Sequence, residues 1–259
     1  MAIPKLTQPQ LEEALRDVGV QTGDGLLVHS ALQFLGRPEP EESIYLAALQ
    51  RVLGSSGTIA VPAFNFAFAR GEDYDPAATP SHGMGVFSEL VRRHPAARRT
   101  PHPMQSLALL GARAAELTAL DTPSAFDDGS AFDRMLALDF KLLLLGADIQ
   151  AASIVHYSEQ RAALPYRYWK DFTGRVREEG EWQERSCRMF VRDLEADPEL
   201  TLAPIQAALE AAGQWRSVPL NLGVLSLCSL RNFVAAADAL LAADPWALVG
   251  NKAEVLARS

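Results

Sequence analysis

Apolar positions in this chain fall into short unbroken runs closed by turn residues, and between those runs they recur every three to four positions. The first pattern belongs to strands buried on both faces, the second to helices with one apolar side. GLLVHS at 25–30, GTIAVPAF at 57–64, SLALLG at 106–111, KLLLLGA at 141–147 and GVLSLC at 223–228 read as strands. EESIYLAALQRVLG, GVFSELVRRHP, AFDRMLAL and IVHYSEQRAA read as the helices between them, several closed by Gly or Pro. Ahead of the first strand, Thr7 stands where an amphipathic helix needs its N-cap. From 172 the texture changes: FTGRVREEGEWQERSCRMFV alternates about a Glu-Gly turn, which predicts an antiparallel hairpin. Two further helices, TLAPIQAALEAAG and SLRNFVAAADALLAADP, surround the last strand. No linker, repeat or low-complexity segment interrupts the rhythm, so the expectation is one α/β domain over 1–259, with a mixed sheet and an inserted hairpin.

Composition narrows the partners more than the fold. The 259 residues are 48% hydrophobic and 22% charged, enough apolar content for a core without disulfides or metal. A formal charge of -8 argues against a general nucleic-acid binder, which needs a basic face. Every long apolar run is broken by charge well short of the roughly 20 residues of a membrane helix, so no membrane partner is expected. The first residues lack an apolar leader core, and the expected location is cytoplasmic. Cys187 and Cys228 stand apart, with no CxxC spacing, so they read as core residues and no metal site is expected.

Three constellations could carry chemistry. In KLLLLGADIQAASIVHYSEQ a buried strand, a glycine turn and a helix start place Ser153, His156 and Glu159 three apart, along one helical side. A histidine with a carboxylate one turn away suits a general base, and a serine hydroxyl near the helix start can donate to a developing oxyanion. The same spacing also describes a solvated helix face. In RRHPAARRTPHPMQS four arginines crowd a proline-stiffened loop; guanidinium forks suit phosphate, and a solvated basic helix end is the plainer reading. His29 and Ser30 end the first strand in VHSAL. His82 and His94 read as solvent-facing or structural. GxGxxG, the Walker sequence, GxSxG and HExxH are all missing, which removes the main support for dinucleotide, nucleotide-hydrolysing, α/β-hydrolase and zinc-protease chemistry.

Taken in order, these segments resemble the aminoglycoside 3-N-acetyltransferase family over most of the chain. VHSAL is similar to that family's VHSSL, GTIAVPAF to GTLVMPTF, RRTPHPMQS to RSxHPxxS, GSAFDRML to GSPFxxL, and SIVHYSE to TxxHxxE. Ala31, Thr100 and Ser153 depart from the pattern. The resemblance implies a three-layer α/β/α fold and acyl transfer from acyl-CoA, in practice acetyl-CoA, to an amine without metal. It implies that His29, Ser30, Arg98, Arg99, Thr100, His102 and Ser106 form the coenzyme site, with phosphates at the RRTPHP loop. Ser153, His156 and Glu159 become the catalytic group, acting by direct attack. The segment after the catalytic helix looks more like sugar N-acyltransferases acting on nucleotide-linked amino sugars. There Tyr166, Arg167, Tyr168 and Lys170 would form an acceptor pocket of aromatic faces and cations. Rival readings are acylation of aminoglycosides themselves, a hydrolase using the same residues, and a non-catalytic CoA-binding protein of the same fold.

Overall fold

The computed structural model describes residues 3–258. The first helix, α1 (Gln8–Val18), begins as expected at Thr7, whose amide donates to Gln10 Oε1 at 2.9 Å, and it follows a short strand, β1 (Lys5–Thr7). Then come β2 (Gly25–Ser30), β3 (Arg37–Glu39), α2 (Ser43–Leu53), β4 (Thr58–Pro62), α3 (Gly85–Arg92), β5 (Arg98–Arg99), β6 (Leu107–Gly111), α4 (Ala114–Thr118) and α5 (Ala131–Ala137). The second half runs β7 (Lys141–Leu145), α6 (Val155–Arg161), β8 (Arg167–Glu178), β9 (Glu181–Arg192), α7 (Ala203–Ala211), β10 (Arg216–Leu220), β11 (Gly223–Ser229), α8 (Leu230–Ala243) and α9 (Lys252–Arg258).

Seven strands form the main sheet in the order β10-β11-β7-β2-β4-β6-β5. β2 runs parallel to both β7 and β4, and the outer pairings are antiparallel, so the sheet is mixed as expected. Period-two alternation sorts the central strands onto two cores. Leu142 and Leu144 of β7 join Phe132, Val155, Ile205 and Phe233 from α5 to α8. Leu143 and Leu145 join Leu11, Leu15, Tyr45, Leu49 and Phe87 from α1 to α3. Helices therefore cover both faces, giving the three-layer arrangement. The chain leaves β2 for β4 on one side and reaches β7 on the other, and the carboxyl ends of these three parallel strands open a crevice between them.

The hairpin forms a sheet of its own, with β8 and β9 paired from Arg167↔Arg192 to Glu178↔Glu181. Glu179 and Gly180 turn it with φ of 50° and 89°, the double left-handed conformation that a two-residue hairpin loop demands. It begins at Arg167, five residues before the start read from alternation, because Arg167 to Asp171 pair with Arg192 to Arg188 while lying mostly exposed, with no buried face to impose alternation. Val176 and Cys187 pack on Phe68, Tyr74 and Met104, which anchors the hairpin to the loop after β4. The edge strand β10, which the hydrophobic pattern did not mark, is half-exposed and held by pairing with β11. No helix among the described residues is long and apolar enough to cross a membrane.

Candidate active site

Glycine closes β7: Gly146 has a φ of 75° and its amide donates to Val224 O, turning the chain into a short helical turn at Ile149–Ala151 and then α6. The turn delivers Ser153, His156 and Glu159 to the crevice at the ends of the parallel strands. His156 Nδ1 lies 2.6 Å from Glu159 Oε2, the i,i+3 contact that the spacing predicted. Phe126 packs against the imidazole edge to face, with ring centroids 5.6 Å apart at 71°. Glu159 is fully buried, and the same Oε2 also meets an Arg167 guanidinium nitrogen at 2.8 Å. Burial pushes the Glu159 carboxyl up, but His156 and then Arg167 outweigh it and hold it below the usual carboxylate range.

Ser153 is buried beside β2. Its amide donates to His29 Nε2 at 3.4 Å and its hydroxyl lies 3.3 Å from the same nitrogen. Burial, aided by the nearby His156, brings the His29 pKa down to about 3, so His29 stays neutral, and its Nε2 accepts from the Ser153 amide. His29 thus braces the serine from behind.

Two cavities meet at this group. One, of about 320 Å³, runs past His29, Ser30, Phe64, Met84, Ser88, Gln150, Ser153 and Leu202, and its lining holds no carboxylate, lysine or arginine. The other, of about 570 Å³, lies between α6 and the hairpin and is lined by Phe66, Gln105, Phe126, Glu159, Gln160, Arg167, Met189, Phe190 and Arg192, among others. His156 is the one residue common to both linings.

In the RRTPHP loop, expected to hold phosphates, most of the candidate side chains turn inward. Arg99 turns inward and its guanidinium is consumed: Nε donates to Ser106 Oγ at 2.9 Å and the two terminal nitrogens to the carbonyls of Thr79 and Ala63. Thr100 Oγ1 accepts from the Leu107 amide at 2.8 Å, and Ser106 Oγ donates to Ala63 O at 3.1 Å. His102 Nδ1 accepts from the amides of Met104 and Gln105, and burial lowers its pKa to about 4. These four side chains brace the loop internally and tie it to the segment after β4, while Arg98 is exposed on the edge strand. Of the segment's residues, Gln105 alone reaches a cavity that His156 lines.

Among the acceptor candidates, only Arg167 faces the second cavity. Tyr166 is buried against Trp246, and Tyr168 is exposed on β8, as is Lys170, whose ammonium lies over the Phe172 ring. Their strand register, invisible from composition, sends them elsewhere. Sequence reading missed Phe126, Gln160 and the β9 residues of this cavity, and it missed Arg167 as a partner of Glu159. No local signal joins them, because the contacts cross from one element to another.

Both cysteines are free and buried, and burial pushes each thiol up to about 12, which disqualifies them as nucleophiles. No group of three or more metal-ligating side chains occurs among the described residues.

A sequence profile of the family described as aminoglycoside 3-N-acetyltransferase matches residues 27–242. Aminoglycoside N(3)-acetyltransferase III of Salmonella sp is 33% identical over 181 residues, which are 63% of each chain. The match thus spans less than two thirds of that relative's length. Among solved structures, AAC-VIa with sisomicin bound superposes with a TM-score of 0.82 at 25% identity, over 93% of this chain and 99% of that one. AAC-IIIb in a binary complex with CoASH shares the fold, with a TM-score of 0.81 at 24% identity over 92% and 97% of the two chains.

Proposed function

We proceed from the finding that this chain belongs to the aminoglycoside 3-N-acetyltransferase family, and we propose that it transfers an acetyl group from acetyl-CoA to an amino group of an aminoglycoside-type acceptor. The observation that carries this reading is the imidazole of His156, which borders both cavities and is tied through Nδ1 to a buried carboxylate. Glu159 accepts from Nδ1–H, so the lone pair of Nε2 is free for a proton.

The narrower cavity fits the pantetheine arm of the coenzyme, an uncharged chain, because its lining is small, apolar or neutral. Acetyl-CoA bound there supplies an activated thioester beside His156. Ser153 lies at the same place, and its hydroxyl donates to the thioester oxygen as negative charge develops. The acceptor enters by the wider cavity; as its amine attacks the thioester carbon the C–N bond forms and His156 takes the amine's proton. The C–S bond then breaks, and the leaving thiolate takes that proton back to depart as free coenzyme A. Both thiols are buried and protonated, which supports direct transfer over an acyl-cysteine intermediate.

The names of the relatives favour an aminoglycoside over the nucleotide-linked amino sugar expected from YRYWK, and Tyr166, Tyr168 and Lys170 stand outside the cavity that was to hold it. A second reading keeps the reaction and changes the acceptor's charge. The wider cavity offers Arg167 and Arg192 against a single carboxylate, Glu159, that is already paired, which favours an amine with fewer positive charges than an aminoglycoside. Free-thiol release from acetyl-CoA, measured with a panel of aminoglycosides and singly charged amino sugars, distinguishes the two. The first reading expects efficient turnover of aminoglycosides. Coenzyme binding without thiol release on any amine would leave a non-catalytic CoA-binding protein.

A further inference from the structure

We propose that Arg167 is a positioning residue for proton transfer: by sharing Glu159 Oε2 with His156 it keeps the carboxylate ionised and limits how strongly that carboxylate holds a proton on the imidazole. The inference rests on the proposed role of His156 as base and adds a component from a different element, the start of the hairpin.

Two donors converge on one oxygen, His156 Nδ1 at 2.6 Å and an Arg167 guanidinium nitrogen at 2.8 Å, while Glu159 Oε1 has no hydrogen-bond partner. The compensation for burying this carboxylate is therefore concentrated on Oε2. Arg167 is itself held in place. Its side chain is 7% exposed, a second nitrogen donates to Phe190 O at 3.1 Å, and its Nε has no partner. A cation fixed on the same carboxylate oxygen opposes a second positive charge on the imidazole. It also prevents the buried carboxyl from taking up a proton, which would cost His156 its anionic partner.

The other groups facing the pair add little charge of their own. His29, on β2, is kept neutral by burial. Tyr166, just before β8, is pushed up by burial and by the charge of Glu159, and stays protonated. Arg192, on β9, donates to Pro198 O. Glu159 and Arg167 are thus the charged groups bonded in line with His156, with Arg192 the other cation of the cavity.

The test is the titration of the His156 imidazole, followed by NMR in the full-length protein without ligands, in wild type, Arg167→Lys and Arg167→Gln. Removing the cation leaves the carboxylate's field to the imidazole, so the midpoint in Arg167→Gln should rise by about one pH unit or more, and Arg167→Lys should stay near wild type. The acidic limb of kcat/KM should move up with it, with activity lost about tenfold on the acid side of the limb and regained at higher pH. Arg167→Met replaces the glutamine variant if that one does not fold. Identical midpoints in wild type and the uncharged variant, or a loss of activity uniform across pH, would reduce Arg167 to a tie between the hairpin and α6. The NMR readout needs no substrate, so absence of turnover in wild type overturns the proposed function without touching this result.

Discussion

Adjacent residues of the same type do different work here, and side-chain direction decides which. Arg98 and Arg99 are neighbours on β5, yet Arg99 is spent on two carbonyls and a serine while Arg98 faces solvent. Arg99→Met would leave the carbonyls of Ala63 and Thr79 without that donor and should cost on the order of 2–4 kcal/mol in urea unfolding. Arg98→Ala should change stability by less than about 0.5 kcal/mol. Equal losses in the two variants would contradict the inward role of Arg99. At His156 the expected effect is on chemistry. His156→Ala or His156→Asn should lower kcat by about 10²- to 10⁴-fold, with coenzyme affinity by calorimetry within a few-fold of wild type. A variant that turns over normally at neutral pH would remove His156 from the reaction.

Elements position these residues through their ends. α6 is a helix of seven residues, and one turn of it brings His156 and Glu159 into register, while the turn before it sets Ser153 against β2. α3 is pinned by Glu89, which accepts from Arg92 and Arg93 and from the amide and hydroxyl of Ser81. Burial raises the Glu89 pKa, but the bonds from Arg92 and Ser81 outweigh it and bring it to about 2, below its ordinary value of 4.5. Because the folded value is the lower one, the unfolded chain binds the extra proton first as pH falls. Glu89 therefore stabilises the fold fully above about pH 4.5 and loses that contribution as pH falls towards 2. Glu89→Gln should lower the melting temperature at pH 7, and the gap to wild type should narrow between pH 5 and pH 2, as scanning calorimetry would register. A gap independent of pH would assign the effect to packing.

The molecule as a whole divides its site between the sheet and the hairpin. The narrower cavity is built from the ends of β2 and β4, from α3 and from the start of α6; the wider one takes Met189 to Arg192 from β9. Substitutions on the two sides should then separate kinetically. Ser88→Leu, which fills the narrower cavity, should raise KM for acetyl-CoA by about tenfold and leave the acceptor's KM near wild type. Met189→Ala should do the reverse. Steady-state kinetics with each substrate varied in turn checks the pair, and a Met189→Ala enzyme with weakened coenzyme binding and unchanged acceptor KM would reverse the assignment of the cavities.

Local patterns in the sequence determined the main-sheet strands other than β5 and β10, most helices, the hairpin with its Glu-Gly turn, and the His156–Glu159 pair, because each depends on contacts within one turn or one alternation. The mixed three-layer fold followed from the order of those elements together with the family resemblance. What remained invisible depends on which elements become neighbours. Arg167 reaches Glu159 only because β8 returns over α6, and His29 meets Ser153 across 124 positions because β2 and β7 are parallel neighbours. The same physics divides RRTPHPMQS and YRYWK among several uses: residue types that suit phosphate or a sugar equally suit a buried brace or an exposed strand face. Burial and register choose between those uses, and both are properties of the packed chain.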